Sequence, residues 1–468
     1  MSANIQYNTI VKYLVTAVCK EPMHVGSGLG DKENVLVHPV DNMPFIQATS
    51  IAGLFGQYYK NNYIDSYDDL FGKSEFAENE NSSDYCSRIK FGDGIFVKDE
   101  SLKLELRPRV SINPKTGSCA ESIVKGTDKN AGHKFNMEYI GVGSKFNFPI
   151  YIYTNKKGDK IDYIDEFETV FPAVNAGKVQ FGGQKSNGCG YIKIEKLRCK
   201  IFDMNKDEDR KMWFKEDEID EYIEKDILEC SNTYNAYDII VEGHTEGDLL
   251  VKGISSASNE SGKKAPDCEN IKNANDDYII PGSSFKGAIR NQMQNIASYL
   301  ESKGVKAEDI IGKTFGVKSS KDAKGNLGNI RFYDTIVGNK KENDEIRLSH
   351  RIHIDKFTGG VINGSLFTEK NVFGDVRLHI TVLNYNAPER TCGLLLMALR
   401  DLAIGTMNLG GGYNVGKGFV IVDKMEIKKS QGIATIDFSS GKIEDKDKII
   451  SHCIDSVIRG TKQWNIKK

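Results

Sequence analysis

YIIPGSSFKGAIRNQM, from Tyr278 to Met293, predicts a short apolar strand, a turn and the start of a helix. Lys286 and Arg290 stand four residues apart in it, so on a helix they share one face. Residues 44–59, PFIQATSIAGLFGQYY, are a diverged copy that lacks both cations. The chain therefore repeats one unit, and only its second copy keeps a positively charged helix start.

Four further pairs of segments repeat in the same order, at offsets between 228 and 244 residues. They are LFG and TFG (70–72, 314–316), RIKFGD and NIRFYD (88–93, 329–334), RVSINPKTG and RIHIDKFTG (109–117, 351–359), and GGQKSNGCGYIKI and GGGYNVGKGFVIV (from 182 and 410). This order indicates a tandem duplication.

Composition is typical of a globular protein, with 468 residues, 39% apolar and 27% charged. The formal net charge of −2 argues mildly against a generally basic nucleic-acid binder, although a local basic groove remains compatible with it. Nine cysteines without a CxxC pair favour reduced thiols and no zinc site. With a polar N-terminus and no apolar run of about 20 residues, we expect a soluble, cytoplasmic protein without membrane contact.

Each copy predicts strand, helix, two or more strands, a second helix and a last strand. This β-α-β-β-α-β order is that of a ferredoxin-like, α+β fold. We assign residues 1–200 to the first domain, 201–234 to an acidic linker that is partly helical, 235–430 to the second domain and 431–468 to a C-terminal extension with an amphipathic helix.

Two features could bind phosphate. In the turn-helix, Ser283 and Ser284 are expected to cap a helix N-terminus whose N–H groups and partial positive charge favour anions. The glycine-rich loops, one with Gly183, Gln184 and Lys185, the other with Gly411, Gly412, Tyr413, Asn414 and Lys417, allow close backbone approach. The alternatives are an ordinary capped helix with solvated cations, and ordinary turns.

YIIPGSSFKGAIR together with GGGYNVGKGF resembles the RAMP superfamily, and within it the backbone subunits of type III CRISPR effector complexes, here with two units fused. The resemblance covers about 13–200 and 237–427. It implies tandem ferredoxin-like RAMP domains, each with a thumb β-hairpin that kinks a guide–target duplex. It also implies three kinds of partner: CRISPR guide RNA, complementary target RNA, and further subunits (other RAMP subunits and the large polymerase-like subunit).

Carried over by the resemblance, the thumbs are residues 113–143 and 355–374. The acid that promotes target cleavage is Asp267, fourteen residues before Pro281, and in the first copy Asp31, with Glu33 beside it. Asp248 is the reserve candidate. The resemblance further implies a divalent metal, Mg or Mn, held at Asp267 and Asp31.

A carboxylate there could take the proton of a 2′-hydroxyl or place the metal, but each acid could equally be a turn residue. Further RNA contacts are expected from His24, Arg351, His353 and Lys356, although Arg351 and His353 could instead form a structural pair across strands.

Three functions stay open at this point. The first is a metal-dependent RNA endonuclease that cuts guide-paired target RNA. The second is a non-catalytic scaffold of the same complex. The third is a nuclease that trims precursor guide RNA, against which the sparse histidines argue. The eroded first helix, with Gln47, Ala48 and Ala52 in place of Pro, Gly and Lys, leaves phosphate binding there undecided.

Overall fold

The computed structural model describes residues 7–26, 33–72, 86–113, 121–123, 130–132, 134–155, 159, 162–215, 222–227, 235–254, 266–304, 307–317, 325–338, 346–430 and 432–459. Asp31 and residues 114–120, 124–129 and 133 of the first thumb lie outside these residues.

The described residues of the first repeat contain ten strands and four α-helices. They are β1 (Thr9–Cys19), β2 (Phe45–Ile46), α1 (Ala48–Asn62), α2 (Ile64–Phe71), β3 (Ile89–Phe91), β4 (Gly94–Phe96), β5 (Leu104–Val110), β6 (Glu121–Ile123), β7 (Asn130–Gly132), β8 (Lys134–Ile140), β9 (Lys145–Thr154), α3 (Tyr163–Glu168), α4 (Val170–Asn175) and β10 (Ile192–Asp203).

After the first repeat come α5 (Asp207–Phe214) and β11 (Ile223–Glu224). The second repeat and the C-terminal residues contain β12 (Asn235–Glu246), β13 (Cys268–Glu269), β14 (Ile279–Ile280), α6 (Gly282–Ser302), α7 (Glu308–Phe315), β15 (Ile330–Phe332), β16 (Thr335–Ile336), β17 (Ile346–Arg351), β18 (Phe367–Val372), β19 (Asp375–Leu383), α8 (Pro388–Ala403), β20 (Phe419–Lys429), β21 (Gly432–Asp437), β22 (Lys442–Glu444) and α9 (Ile449–Arg459).

The two main sheets have the same topology. In the first, β10, β1, β9 and β3 lie side by side, and in the second β20, β12, β19 and β15 do. All these neighbours are antiparallel. In each sheet the first strand of the repeat (β1 or β12) lies between the last strand (β10 or β20) and the long strand that precedes the second helical segment (β9 or β19). This is the ferredoxin-like arrangement, and it confirms the predicted fold class.

Alternation of buried and exposed residues along the strands places one face of each sheet on a core. Strand β9 shows it clearly, because Phe146, Phe148, Ile150 and Ile152 are buried in one cluster. The second core lies under α6 and α8, whose buried Phe285, Ile289, Leu395 and Leu399 meet the strands. Aromatic side chains dominate the first core: Phe55 packs against Phe91, Phe148, Phe167 and Phe181.

The linker and the C-terminal extension extend the sheets. Strand β10 continues to Asp203, and β11 pairs with it. Within α5 no residue is buried, as expected of a charged spacer. Strands β21 and β22 add to the second sheet, and α9 buries Cys453 and Val457 in the second core, so the predicted amphipathic helix does pack on a domain.

The chain forms two compact units that do not coincide with the two repeats. Unit 1 comprises residues 1–104, 139–183 and 189–231, and unit 2 comprises 105–138, 184–188 and 232–468. Residues 105–138, which include most of β5 and lead into the first thumb, therefore belong to unit 2, and so do residues 184–188 of the first glycine-rich loop. Every helix among the described residues is too short or too polar to cross a lipid bilayer.

Candidate functional site

The predicted turn-helix is present as α6, and a carboxylate from a distant strand end fixes its N-terminus. Pro281 is the N-cap, and the N–H of Gly282 donates to Asp334 Oδ1 at 2.7 Å. Ser283 and Ser284 lie inside the first turn, so the prediction that they cap the helix is wrong. In unit 1 the N–H of Ala48 donates to Asp93 Oδ1 at 2.6 Å in the same way. The duplication therefore preserves this cap although the turn sequence has diverged.

Lys286 lies in a cluster of cations in unit 2. Its Nζ donates to the hydroxyl of Ser186 at 2.7 Å. Burial, and after it the charges of Arg290 and Arg109, lower the pKa of Lys286 to about 8. We call Lys286, Arg290 and Arg109 the cation cluster. Like charges that disfavour one another in this way are stabilised when an anion binds among them.

The neighbouring loop tip adds further positive charge. Gln184 accepts from Arg109 Nη2 at 3.1 Å, which ties the loop to the cluster. Burial first and Arg331 second lower the pKa of Lys185, which follows Gln184. Arg290 is exposed and lies over the Phe315 ring at 5.5 Å. Lys286 and Arg290 thus lie close together on a positively charged part of α6, and phosphate binding there stays a prediction.

Part of each glycine-rich loop is occupied by hydrogen bonds within the protein. The N–H of Gly183 donates to the carbonyl of His24, and the N–H of Gly411 to that of Leu250. These two N–H groups therefore already have acceptors. The matching bonds also show that His24 corresponds to Leu250 of the second repeat. The His24 side chain is buried beside Tyr139.

Lys417 lies in a buried network. Its Nζ donates to Glu369 Oε2 at 2.6 Å and to Asn371 Oδ1 at 2.8 Å, and Glu369 is 0% exposed. Arg351 donates to the other oxygen of Glu369. Burial opposes ionisation of Glu369, but these two cations hold its pKa below the ordinary value. The network fixes the root of the second thumb, β17 and β18, and draws Lys417 away from solvent.

Asp267 lies at the same root. Its Oδ2 accepts from the N–H of Thr368 at 2.7 Å, and the next residue, Cys268, pairs in parallel with Glu369. Oδ1 accepts no hydrogen bond from any residue that the structure describes. Asp248 also accepts from β18, from Asn371 at 3.0 Å, and its Oδ1 lies 3.8 Å from Arg347 Nη1 without a hydrogen bond among the described residues. Both acids are therefore held by the thumb strand, and they differ in that Asp267 is exposed whereas Asp248 is half-buried.

The remaining predicted residues are Glu33, Asp31, His353, Lys356, Tyr413 and Asn414. Glu33 is exposed, and Asp31 next to it falls outside the described part of the chain. Strand β17 ends at Arg351, so the assignment of His353 to a strand is wrong; its carbonyl accepts from Ser365. Lys356 is exposed in the turn that the Asp355 carboxylate caps through the N–H groups of Phe357 and Thr358. Among the loop residues Tyr413 is 56% exposed and Asn414 is exposed.

The described residues do not fit a metal centre held by the protein alone. Nowhere among them do three or more His, Cys, Asp or Glu side chains come close enough to hold an ion. Asp267 offers one carboxylate, whereas Mg²⁺ and related cations need about six oxygen ligands. The expected Mg or Mn therefore remains a prediction.

Comparison with known proteins identifies the family. The family model described as "RAMP superfamily" matches residues 16–193 and 243–421, one match in each repeat. The chain belongs to the RAMP superfamily. No curated protein matches it. These two matched ranges make it a tandem RAMP protein, as the repeats predicted.

Among solved structures, a cryo-EM structure of the Type III-B Cmr-beta bound to cognate target RNA is similar at 15% identity and a TM-score of 0.30. The alignment covers 41% of this RAMP chain and 61% of that chain. A likeness of this size carries no argument about function.

Sequence reasoning did not assign Arg109 or Asp334 to the site. Both stand in repeated motifs, RVSI/RIHI and RFYD/KFGD, which was the available signal. It also missed Arg107, which pairs with Glu105 at 2.5 Å and with Asp334 at 2.6 Å. Through Arg107, the carboxylate that caps α6 is thus joined to strand β5, which leads into the first thumb, and all of these residues belong to unit 2.

Proposed function

We propose that this tandem RAMP protein is a guide-RNA-binding backbone subunit of a type III CRISPR effector complex, and that it cuts guide-paired target RNA. The observation that carries the proposal is the position of Asp267, fixed by the N–H of Thr368 at the root of a thumb strand. Family membership supports RNA as the ligand. Sequence specificity then comes from base pairing, while the protein contacts backbone and shape.

The cation cluster is the proposed contact for the guide backbone. Lys286 is held by Ser186, and its charge is disfavoured by burial and by Arg290 and Arg109. Because the Asp334 carboxylate already caps the N-terminus of α6, the phosphate would bind beside the cation side chains, whose charges it would compensate. Arg290 is exposed and belongs to the same cluster. The exposed loop residues Tyr413 and Asn414 are proposed as separate RNA contacts.

For cleavage, we propose that Asp267 acts on the nucleotide that the second thumb displaces. Its carboxylate takes the proton of the 2′-hydroxyl, and the 2′-oxygen attacks the adjacent phosphorus in line. The bond from phosphorus to the 5′-oxygen breaks, and that oxygen takes a proton from water. The products are a 2′,3′-cyclic phosphate and a 5′-hydroxyl end. Asp31, with Glu33 beside it, is proposed for the same role in the first unit.

A divalent cation, complementary target RNA, other RAMP subunits and the large polymerase-like subunit are the proposed partners. Because Asp267 alone does not supply a coordination shell, no step above is assigned to the metal. A cation would have to bind largely through RNA oxygens and water.

The decisive experiment uses the assembled complex with labelled target RNA. Asp267→Asn keeps an oxygen that accepts from Thr368 N–H, so it removes the negative charge while keeping the turn. We expect the rate of cleavage at one position to fall by roughly 10²-fold or more, while the amount of guide RNA bound to the complex stays unchanged. The matched control is Asp276→Asn at an exposed position with φ of 64°, which Asn tolerates. Unchanged cutting in Asp267→Asn would refute the nuclease assignment.

A non-catalytic scaffold is the second candidate. The hydrogen bond from Thr368 N–H gives Asp267 a structural role that needs no catalysis. This candidate predicts guide binding and full assembly with no cut at any concentration of Mg or Mn, so the same experiment separates the two.

A further inference from the structure

The first sheet carries a row of cations on the face that points away from its core, which we call the outer face. Alternation places Tyr151 there, because its neighbours Ile150 and Ile152 are buried in the core. The register sets four residues side by side across β10, β1, β9 and β3, namely Lys200, Lys12, Tyr151 and Lys90. Directly opposed like charges destabilise a sheet, so an anion bound across this row would stabilise it.

The second repeat provides an internal reference for this row. A bulge interrupts the pairing of the first strand with the last in both sheets, after Thr16 in β1 and after Glu242 in β12. With the two bulges aligned, the row corresponds to Lys428, Asp238, Thr381 and Arg331. An acid therefore lies between the cations in the second sheet, and Lys12 takes its place in the first.

The next row shows the same reversal of charge. With the same alignment, Arg198 stands where the second repeat has Glu426. Glu426 pairs with Lys428 at 2.8 Å, and Asp238 pairs with His379 at 2.7 Å. The second sheet thus neutralises cations of its outer face with its own acids. The first sheet has lost both of these acids, so its outer face is the more positive of the two.

Near Arg198 the outer face deepens into a cleft of about 380 Å³, which Lys145 and Lys196 also line. Two acids line it as well. Glu195 pairs with Lys145 at 3.1 Å. Glu224 lies opposite Arg198 where β11 pairs with β10. Lys196 is exposed and forms no ion pair with any residue that the structure describes. Because three cations line the cleft against two acids, it favours an anionic ligand.

Aromatic rings lie among these cations. Trp213 of α5 meets Tyr151 edge to face, with ring centroids 5.8 Å apart. Lys90 Nζ lies 4.9 Å from the centre of the Tyr153 ring. Tyr151, Tyr153 and Trp213 are half-buried, so part of each ring faces solvent. Cations that track phosphates, together with rings on which bases stack, are the combination that single-stranded nucleic acids bind.

We propose that the outer face of the first sheet is a second RNA-binding surface, and that it takes single-stranded RNA. Phosphates lie along Lys196 and Arg198, and bases stack on Tyr151 and Trp213. All these residues belong to unit 1, whereas the cation cluster belongs to unit 2, so the two surfaces are separate. The inference rests on the proposed function only in taking RNA as the polyanion.

The first test uses full-length protein freed of nucleic acid, with Trp464→Phe, so that Trp213 is the only tryptophan. The probe is an oligouridylate of about 12 nucleotides, within the site size of single-strand binders. This RNA should quench the fluorescence of Trp213, and should still do so when Lys286→Met/Arg290→Met removes the cation cluster. Unchanged Trp213 fluorescence would overturn the proposal. The probe carries no guide sequence, so the result does not depend on guide binding or cleavage.

Two variants then separate charge from stacking. Lys196→Gln/Arg198→Gln should lower the salt slope of oligouridylate binding by about 1.4, at about 0.7 for each phosphate contact. Tyr151→Thr introduces the residue of the second repeat and should weaken binding about 10-fold at an unchanged salt slope, because one base loses its stacking partner. The lysine and arginine are exposed, so their variant keeps the test open if Tyr151→Thr does not fold.

The matched control, Lys303→Gln/Lys446→Gln, removes two charges at exposed positions of unit 2 and should change neither the affinity nor the salt slope. A slope that falls equally in Lys196→Gln/Arg198→Gln and in the control would overturn the proposal. So would poly-glutamate that quenches Trp213 and displaces the RNA at equal charge concentration, because the outer face would then be a docking site for an acidic protein segment.

Discussion

Replacing Lys286 by methionine should stabilise the RNA-free protein at neutral pH. The lysine pKa is about 8 in the folded protein and 10.5 as its ordinary value. At pH 7 the buried charge therefore costs about 3 kcal/mol, at about 1.4 kcal/mol per pKa unit. Loss of the hydrogen bond to Ser186 offsets about 1 kcal/mol of this. Methionine keeps the apolar stem, so the expected net gain is about 2 kcal/mol.

The pH dependence of the free energy of unfolding tests independently whether the charge on Lys286 destabilises the folded protein. Between pH 8 and 10.5 the unfolded chain holds the lysine proton more tightly than the folded chain does. The free energy of unfolding of the wild type therefore rises with pH in this window, and the penalty vanishes near pH 10.5. We expect the difference between wild type and Lys286→Met to shrink to about zero by pH 10, because little of the charge penalty then remains.

The assay is urea unfolding of RNA-free protein at pH 7 and pH 10, followed by RNA binding at several salt concentrations. Lys303→Met, at an exposed position at the end of α6, is the control and should change neither result. Lys286→Met should also reduce the salt slope of RNA binding by about 0.7 to 0.9. Two results would refute a disfavoured buried charge at Lys286. One is that Lys286→Met is less stable than the wild type at pH 7, and the other is that their difference in free energy of unfolding does not depend on pH.

Three further predictions concern the thumbs. Lys417→Met leaves Glu369 buried with fewer partners and should lower the free energy of unfolding by about 3 kcal/mol. The double variant Lys417→Met/Glu369→Leu should lower it far less, and equal losses in denaturant unfolding of the two variants would contradict this. Asp267→Asn should abolish one cut while Asp276→Asn leaves the cleavage pattern intact, as read on a sequencing gel. Asp31→Asn should remove a different cut, so the double variant with Asp267→Asn should release no fragments; one shared cut would show that only one unit is active.

The sequence predicted the fold well because the repeated signals are local. The turn at Pro281 and the apolar strand 376–383 each show in a few adjacent residues, and β19 and α6 form there. The second helix predicted for this repeat is α8, and it begins at Pro388, because proline suits the first position of a helix.

The site was less predictable because its contacts join residues far apart in the chain. The N–H of Gly282 is capped by Asp334, which is 52 residues away. The Lys286 side chain donates a hydrogen bond to Ser186, which is 100 residues away. No local pattern shows that Lys286 is buried or that Lys417 is drawn to Glu369. The two serines after Gly282 matched a cap by type, but the distant carboxylate takes that position.

Guide-RNA binding by this chain is tested most directly by analysing what co-purifies with it from its native host. We expect absorbance at 260 nm well above that of bare protein, and sequencing reads dominated by transcripts of a CRISPR array. Lys286→Met/Arg290→Met should lower the amount of RNA recovered. Protein that purifies free of nucleic acid, or with RNA of random sequence, would contradict it.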